Sequence, residues 1–169
     1  MYDVLDISRY VINYSNQENY DISNLKLQKL LYFIQAYFLI TKKAPCFKED
    51  IEAWDFGPVV PSAYYKYRLF GGSNIPSITT YTIIEKNSDD ISQSKIKSAK
   101  YDKACIASCD AKLIEDVINK FSNYSASDLV EITHRQNPWK NAYENGRNTI
   151  ITIESIRSYF SNAWYRQFT

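Results

Sequence analysis

Residues 24–41 constrain the fold most, because the apolar side chains of this segment point in several directions once it is helical. Ser23 can cap the N-terminus of a helix that begins at Asn24 and runs to about Thr41. The apolar residues at helical spacing are Leu27, Leu30, Leu31, Ile34 and Phe38 on one side and Phe33, Tyr37 and Ile40 on another. Since such a helix must be covered on several faces, we predict that it lies at the centre of a helical domain.

The rest of the chain predicts shorter helices around this central one and at most a small β element. Capping residues and apolar spacing predict helices over residues 3–14, 61–70, 110–121, 125–134, 137–146 and from 152 onward. Weak alternation at Ile51–Trp54 and the run Ile78–Ile84 favour short strands. We therefore expect a mainly α, compact helical domain, and the 169 residues fit a single domain over 1–169.

Residues 85–103 interrupt this pattern, because they are rich in Ser, Lys and Asp and contain few apolar side chains. We expect a flexible polar loop or a frayed hairpin in this segment. Because ordering a flexible loop subtracts from affinity, we do not expect the segment to supply the main contacts to a partner.

The charge balance argues against a protein built to coat nucleic acid. The 20 lysine and arginine residues are matched by 19 aspartate and glutamate residues, whereas binding of phosphates usually requires a basic excess. The N-terminus lacks the basic region and apolar core of a signal peptide, and residues 25–40 are too polar to cross a bilayer. With Cys46, Cys105 and Cys109 interpreted as reduced thiols, we expect a cytoplasmic protein.

The side chains needed for catalysis or metal binding are incomplete in this sequence. His134 is the sole histidine, so the two histidines of a zinc protease motif are missing. Cys105 and Cys109 lie one helical turn apart, but zinc would need two further soft ligands. Residues 71–73, Gly-Gly-Ser, lack the lysine of a phosphate-binding loop. We expect no enzyme activity, no metal and no cofactor.

Four polar side chains of the central helix need hydrogen-bond partners, because leaving a polar group buried and unpaired costs about 1–3 kcal/mol. They are Lys26, Gln28, Lys29 and Gln35. Such side chains can bond to neighbouring turns inside the fold, or they can form a polar strip that contacts a partner protein. Lys26 and Lys29 are therefore candidate contact residues, with internal hydrogen bonding as the alternative.

A second candidate contact region lies at residues 54–65. Gly57 permits backbone angles that most residues avoid, and Pro58 fixes its own φ, so the turn that contains them is rigid. A rigid loop that carries Trp and Tyr loses little entropy on docking and makes a good anchor. The alternative is a Trp54 buried over the central helix. The predicted contact residues here are Trp54, Asp55, Gly57, Pro58, Val59, Tyr64 and Tyr65.

Several sequence runs together resemble the Panacea domain, also described as the SocA-like antitoxin or phage-associated GepA-like family. The runs are Leu25–Phe33, Glu52–Trp54, Gly57–Pro61 with Tyr64, Thr133–His134, Pro138–Trp139 and Ile156–Phe160. The resemblance implies a structural role for the motif residues Leu27, Gln28, Leu30, Leu31, Tyr32, Phe33, Glu52, His134, Pro138 and Trp139. For His134, a hydrogen-bonding role near the end of its helix is the favoured interpretation.

The resemblance implies a protein that acts by binding another protein. Members of this family neutralise toxins of unrelated folds by direct contact, and some deliver their toxin to a protease. We therefore expect a non-catalytic antitoxin whose partner is a toxin, with a protease as a second partner in the adaptor case. Two alternatives stay open: a phage or mobile-element inhibitor of a host defence protein, and a nucleic-acid-binding regulator, which the charge balance disfavours.

Overall fold

The computed structural model describes residues 1–85, 95–144 and 148–167, and it is mainly helical, as predicted. Its helices are α1 (Val4–Gln17), α2 (Asn24–Thr41), α3 (Pro61–Tyr67), α4 (Ser108–Lys120), α5 (Ala126–His134), α6 (Asn137–Glu144) and α7 (Ile153–Gln167). The predicted end of α6 at Gly146 lies outside the described residues. None of the helices just named is long and apolar enough to cross a membrane.

Helix α2 lies at the centre of the fold and contacts α1, α3, α4, α5 and α7. The Ser23 hydroxyl accepts a hydrogen bond from the backbone N–H of Lys26 and caps the helix. Leu31 is fully buried, and the ring of Phe33 stacks on that of Phe121 at the end of α4 with centroids 4.4 Å apart. The prediction of a central helix covered on several faces is confirmed.

The β structure consists of a small sheet and a separate hairpin. The strands are β1 (Glu52–Trp54), β2 (Gly57–Val59), β3 (Thr80–Glu85), β4 (Lys95–Lys100) and β5 (Thr149–Ile150). The sheet is antiparallel with strand order β2-β1-β5, and β3 pairs with β4 in the hairpin. Of the segment predicted as a flexible loop or frayed hairpin, residues 95–100 pair as β4, whereas residues 86–94 lie outside the described residues.

The outer edge of β2 is closed by polar side chains of α2. Gln28 accepts a hydrogen bond from the Val60 backbone N–H at 2.9 Å, and the Lys29 ammonium donates to the Pro58 carbonyl at 2.9 Å. Pro58 has no N–H of its own, so this edge presents no free donor at that residue. The two side chains therefore fix the small sheet against the central helix.

The other two polar residues of α2 are also bonded inside the fold. The Gln35 amide oxygen accepts from the backbone N–H groups of Cys46 and Phe47, and its NH₂ donates to the Phe47 carbonyl. The Lys26 ammonium donates to the Ser122 carbonyl at 2.9 Å. The structure thus gives these polar residues the internal role that was one of the two predicted interpretations.

Candidate protein-binding surface

A groove of about 640 Å³ lies between the N-terminal half of α2, the β1–β2 turn and α3. Its walls are mainly apolar, with Leu25 from α2, Trp54 from the end of β1, Phe56 from the turn, Val59 from β2 and Tyr64 from α3. We call this groove, together with the exposed side chains of Phe56 and Tyr65, the aromatic face.

Three aromatic rings pack edge to face at this groove. The ring centroids of Trp54 and Tyr64 are 4.9 Å apart, and those of Tyr64 and Tyr65 are 5.5 Å apart. The Trp54 indole N–H donates to the Glu52 carboxylate at 2.7 Å, which orients the indole. Edge-to-face contacts and a hydrogen bond hold these rings in one arrangement before any partner arrives.

Large apolar side chains are exposed to solvent in and beside the groove and in the 3-10 turn that contains Arg68. Phe56 in the β1–β2 turn is 67% exposed, Tyr65 on α3 is 56% exposed, and Leu69 in the 3-10 turn after α3 is 92% exposed. A single exposed apolar residue needs no explanation, but several beside an apolar groove are typical of a surface that another protein covers.

The β1–β2 turn is held rigidly from below by α5 and α6. Gly57 has φ +93°, and a Cβ at this position would lie 2.7 Å from the Thr133 hydroxyl, so this turn requires glycine. The Trp139 indole N–H donates to the Trp54 carbonyl at 3.1 Å, and the Tyr143 hydroxyl donates to the Asp55 carboxylate at 3.0 Å. Such bonds reduce the entropy that the turn would lose on binding.

The ring of His134 lies under the same turn. It stacks on Trp139 with centroids 4.0 Å apart and forms a hydrogen bond with the Asp55 backbone. Burial lowers the pKa of His134, the charge on Lys29 lowers it further, and the bond to Asp55 acts in the opposite direction. His134 is the last residue of α5, which is the position near a helix end that was predicted. Its hydrogen bond to Asp55 joins the end of α5 to the turn.

The predicted contact residues divide into exposed and buried groups. Trp54, Asp55 and Tyr64 line the groove, and Tyr65 lies exposed beside it. Gly57 and Pro58 are buried beneath the turn and shape it, while Val59 is buried but forms part of the groove wall.

Lys26 and Lys29, which the sequence suggested as contact residues with internal hydrogen bonding as the alternative, are buried in the fold. Lys29 is fully buried and Lys26 is nearly so, and both ammonium groups donate to carbonyls inside the fold. The aliphatic parts of both side chains run through the interior, and their ammonium groups reach the carbonyls of Ser122 and Pro58. The tertiary fold brings these carbonyls close to α2.

Two residues of the aromatic face, and Leu69 next to one of them, were not singled out from the sequence. Phe56 and Arg68 line the groove, and Leu69 follows Arg68. Phe56 lies in the Asp-Phe-Gly turn, where an apolar residue before glycine was an available signal. Leu69 gives no comparable signal, because its exposure depends on how the 3-10 turn after α3 is oriented.

Burial lowers the pKa of the Lys29 ammonium, which lies beneath the turn, from 10.5 to about 7. In the unfolded chain the Lys29 ammonium keeps its proton up to a higher pH than in the folded chain. Below about pH 7 the buried charge lowers the free energy of unfolding by its full amount. This destabilisation decreases as the pH rises from about 7 towards 10.5, because the folded chain then loses the proton.

We expect the free energy of unfolding of the wild type to rise between pH 7 and pH 9.5 relative to that of Lys29→Met. The difference in slope is at most about 1.4 kcal/mol per pH unit, because one proton is involved. Urea unfolding at several pH values measures it, and Lys140→Met, which removes an exposed lysine, should keep the wild-type slope. Parallel curves for wild type and Lys29→Met would show that Lys29 stays protonated in the fold.

The mainly helical fold carries an exposed, largely apolar groove whose turn is fixed from below, and concave apolar surfaces of this kind are usual for binding sites. The chain belongs to the Panacea domain family of SocA-like antitoxins: the sequence model described as "Antitoxin SocA-like, Panacea domain" matches residues 27–140. That stretch includes Trp54, Tyr64, Arg68 and the supporting Trp139.

A curated relative of this chain is Antitoxin SocA from Caulobacter vibrioides (strain NA1000 / CB15N). The two sequences are 37% identical over 134 residues, which cover 78% of this chain and 65% of the relative. The match thus spans slightly less than two thirds of that protein's length. No solved structure matches this chain.

Proposed function

We propose that this protein is a non-catalytic antitoxin that neutralises a partner toxin by direct contact through the aromatic face. The observation that carries the proposal is the pair of exposed aromatic side chains, Phe56 and Tyr65, beside a groove whose turn is fixed by Trp139 and Tyr143. The relative's description as an antitoxin and the family description support the same role.

The energetics of neutralisation fit a small number of rigid anchors. A dissociation constant near 1 nM corresponds to about −12 kcal/mol, and a few Trp, Tyr or Arg side chains usually supply most of such an energy. The aromatic face combines Trp54, Tyr65 and Arg68 with a glycine turn that cannot rearrange freely. Little conformational entropy is therefore lost when a partner docks.

The polar groups at the groove act as scaffold in this proposal. The Glu52 carboxylate accepts from Trp54, the Asp55 carboxylate accepts from Tyr143, and the Asn24 amide donates to the Tyr64 carbonyl. Each of these groups fixes a neighbouring element, and this supports a role in shaping a surface for binding.

The test is neutralisation of the product of the adjacent reading frame. We expect co-expression with this protein to restore growth that the adjacent gene product alone arrests. The two purified proteins should form a stoichiometric complex that inhibits the toxin's activity with no protease present, which separates direct neutralisation from delivery to a protease. Restored growth that requires a host protease, with no inhibition by the purified protein, would contradict the proposal.

A further inference from the structure

The groove of the aromatic face has room for several side chains of a partner. Its volume of about 640 Å³ is comparable to that of pockets which bury most of a small-molecule ligand, about 300–1,000 Å³. Trp54, Val59 and Tyr64 give it apolar walls. A groove of this shape suits a segment that carries at least one large apolar side chain.

The carboxylates at this face already have partners within the protein. Glu52 accepts from the Trp54 indole at 2.7 Å, and Asp55 accepts from the Tyr143 hydroxyl at 3.0 Å. These bonds hold both acidic groups in place and satisfy part of their accepting capacity. Both groups keep their charge, but they are held in fixed positions, Glu52 by Trp54 and Asp55 by Tyr143.

Of the residues that the structure describes, Arg68 is the cation that lines the groove, and it is exposed. Its guanidinium lies 5.7 Å from the centroid of the Tyr65 ring, which positions it beside the aromatic cluster. Among residues 1–85, 95–144 and 148–167, no carboxylate forms an ion pair with Arg68. A guanidinium presents a planar fork of donors that matches a carboxylate in two parallel hydrogen bonds.

We infer that the groove takes a segment of a partner protein in which a large apolar side chain is flanked by a carboxylate that pairs with Arg68. The apolar side chain lies against Trp54 and Tyr64, and the carboxylate meets the guanidinium at the groove. The inference names the chemistry of the partner and rests on the proposed function only in taking that partner to be the toxin.

A random twelve-residue peptide display library tests the inference without knowledge of the toxin. Selection on the wild-type protein is expected to enrich peptides in which Asp or Glu lies close to Trp, Phe or Leu. The selected peptides are then synthesised and titrated against purified variants. Arg68→Glu should weaken their binding at least about 30-fold, because the pair becomes a repulsion of like charges inside the groove.

Lys66→Glu is the matched control, because it makes the same charge change on α3 at an exposed residue outside the groove lining. It should weaken binding by less than about threefold, as expected for a charge at the rim. Equal losses for Lys66→Glu and Arg68→Glu would show a general charge effect and overturn the inference. Enriched peptides without acidic residues, or no enrichment over an unrelated protein, would also overturn it.

The outcome is separable from that of the proposed function. A toxin complex that forms with wild type and Arg68→Glu alike would leave the antitoxin role standing and reject the acidic segment. Peptides that depend on Arg68, together with a failure to inhibit the adjacent gene product, would reject the antitoxin role and keep the groove's specificity.

Discussion

Replacing Leu31 by alanine is expected to lower the free energy of unfolding by about 2–5 kcal/mol. Leu31 is 0% exposed and lies in the middle of α2, the helix that contacts five others. The substitution removes buried methyl groups and leaves a cavity that surrounding helices fill only in part. The loss is a large fraction of the roughly 5–15 kcal/mol that usually stabilises a domain.

Leu69→Ala provides the matched control, since it makes the same chemical change at a side chain that is 92% exposed. Its free energy of unfolding should stay within about 0.5 kcal/mol of the wild type. Urea unfolding followed by circular dichroism compares the three proteins. A Leu31→Ala protein as stable as Leu69→Ala would mean that α2 does not occupy the centre of the fold.

The second large effect concerns partner binding. The double variant Phe56→Ala, Tyr65→Ala is expected to weaken toxin binding at least about 100-fold, because each aromatic anchor of this kind contributes on the order of 2 kcal/mol. Both side chains are mostly exposed in the free protein. The melting temperature of the double variant should therefore stay close to that of the wild type.

Ile96→Ala tests whether the β3–β4 hairpin could be the contact surface instead. Ile96 lies on β4 and is an exposed apolar side chain, like Phe56. We expect this variant to bind toxin as tightly as the wild type. The comparison uses point substitutions, because residues 86–94 between the two strands lie outside the described residues.

The elements that sequence reasoning predicted well depend on neighbours along the chain. Ser23 caps α2 as predicted, and α5 begins close to the predicted residue 125, where Ser125 and Asp128 form a capping box. The central position of α2 followed from the spacing of its own apolar residues. Each of these features is set within about one helical turn or along one helix, so the local sequence contains the necessary information.

The features that sequence reasoning missed depend on distant residues. The sequence predicted a helix that starts at residue 110, but α4 begins at Ser108, and the Asp110 carboxylate accepts from Tyr2 and pairs with Lys42. Lys29 looked like a candidate for solvent or partner contact, yet it reaches the Pro58 carbonyl, 29 residues away. The hydrogen-bond partners of such polar residues are distant in sequence and come close only in the folded chain.

The candidate site shows the same division. The rigid glycine turn and its aromatic residues were visible in the sequence between Trp54 and Tyr65. Their support by Trp139 and Tyr143 was not, because the two bonds cross 85 and 88 positions of the chain. The position of Arg68 at the groove likewise could not be predicted from the sequence, because it depends on how the fold places the 3-10 turn that follows α3.

The most direct test of the central claim is a calorimetric titration of the purified toxin with wild type and with Phe56→Ala, Tyr65→Ala. The account predicts stoichiometric binding by the wild type with a dissociation constant near 1 nM, about −12 kcal/mol, and binding by the double variant that is at least about 100-fold weaker at an unchanged melting temperature. Equal affinities for the two proteins, with both fully folded, would contradict the claim that the aromatic face binds the toxin.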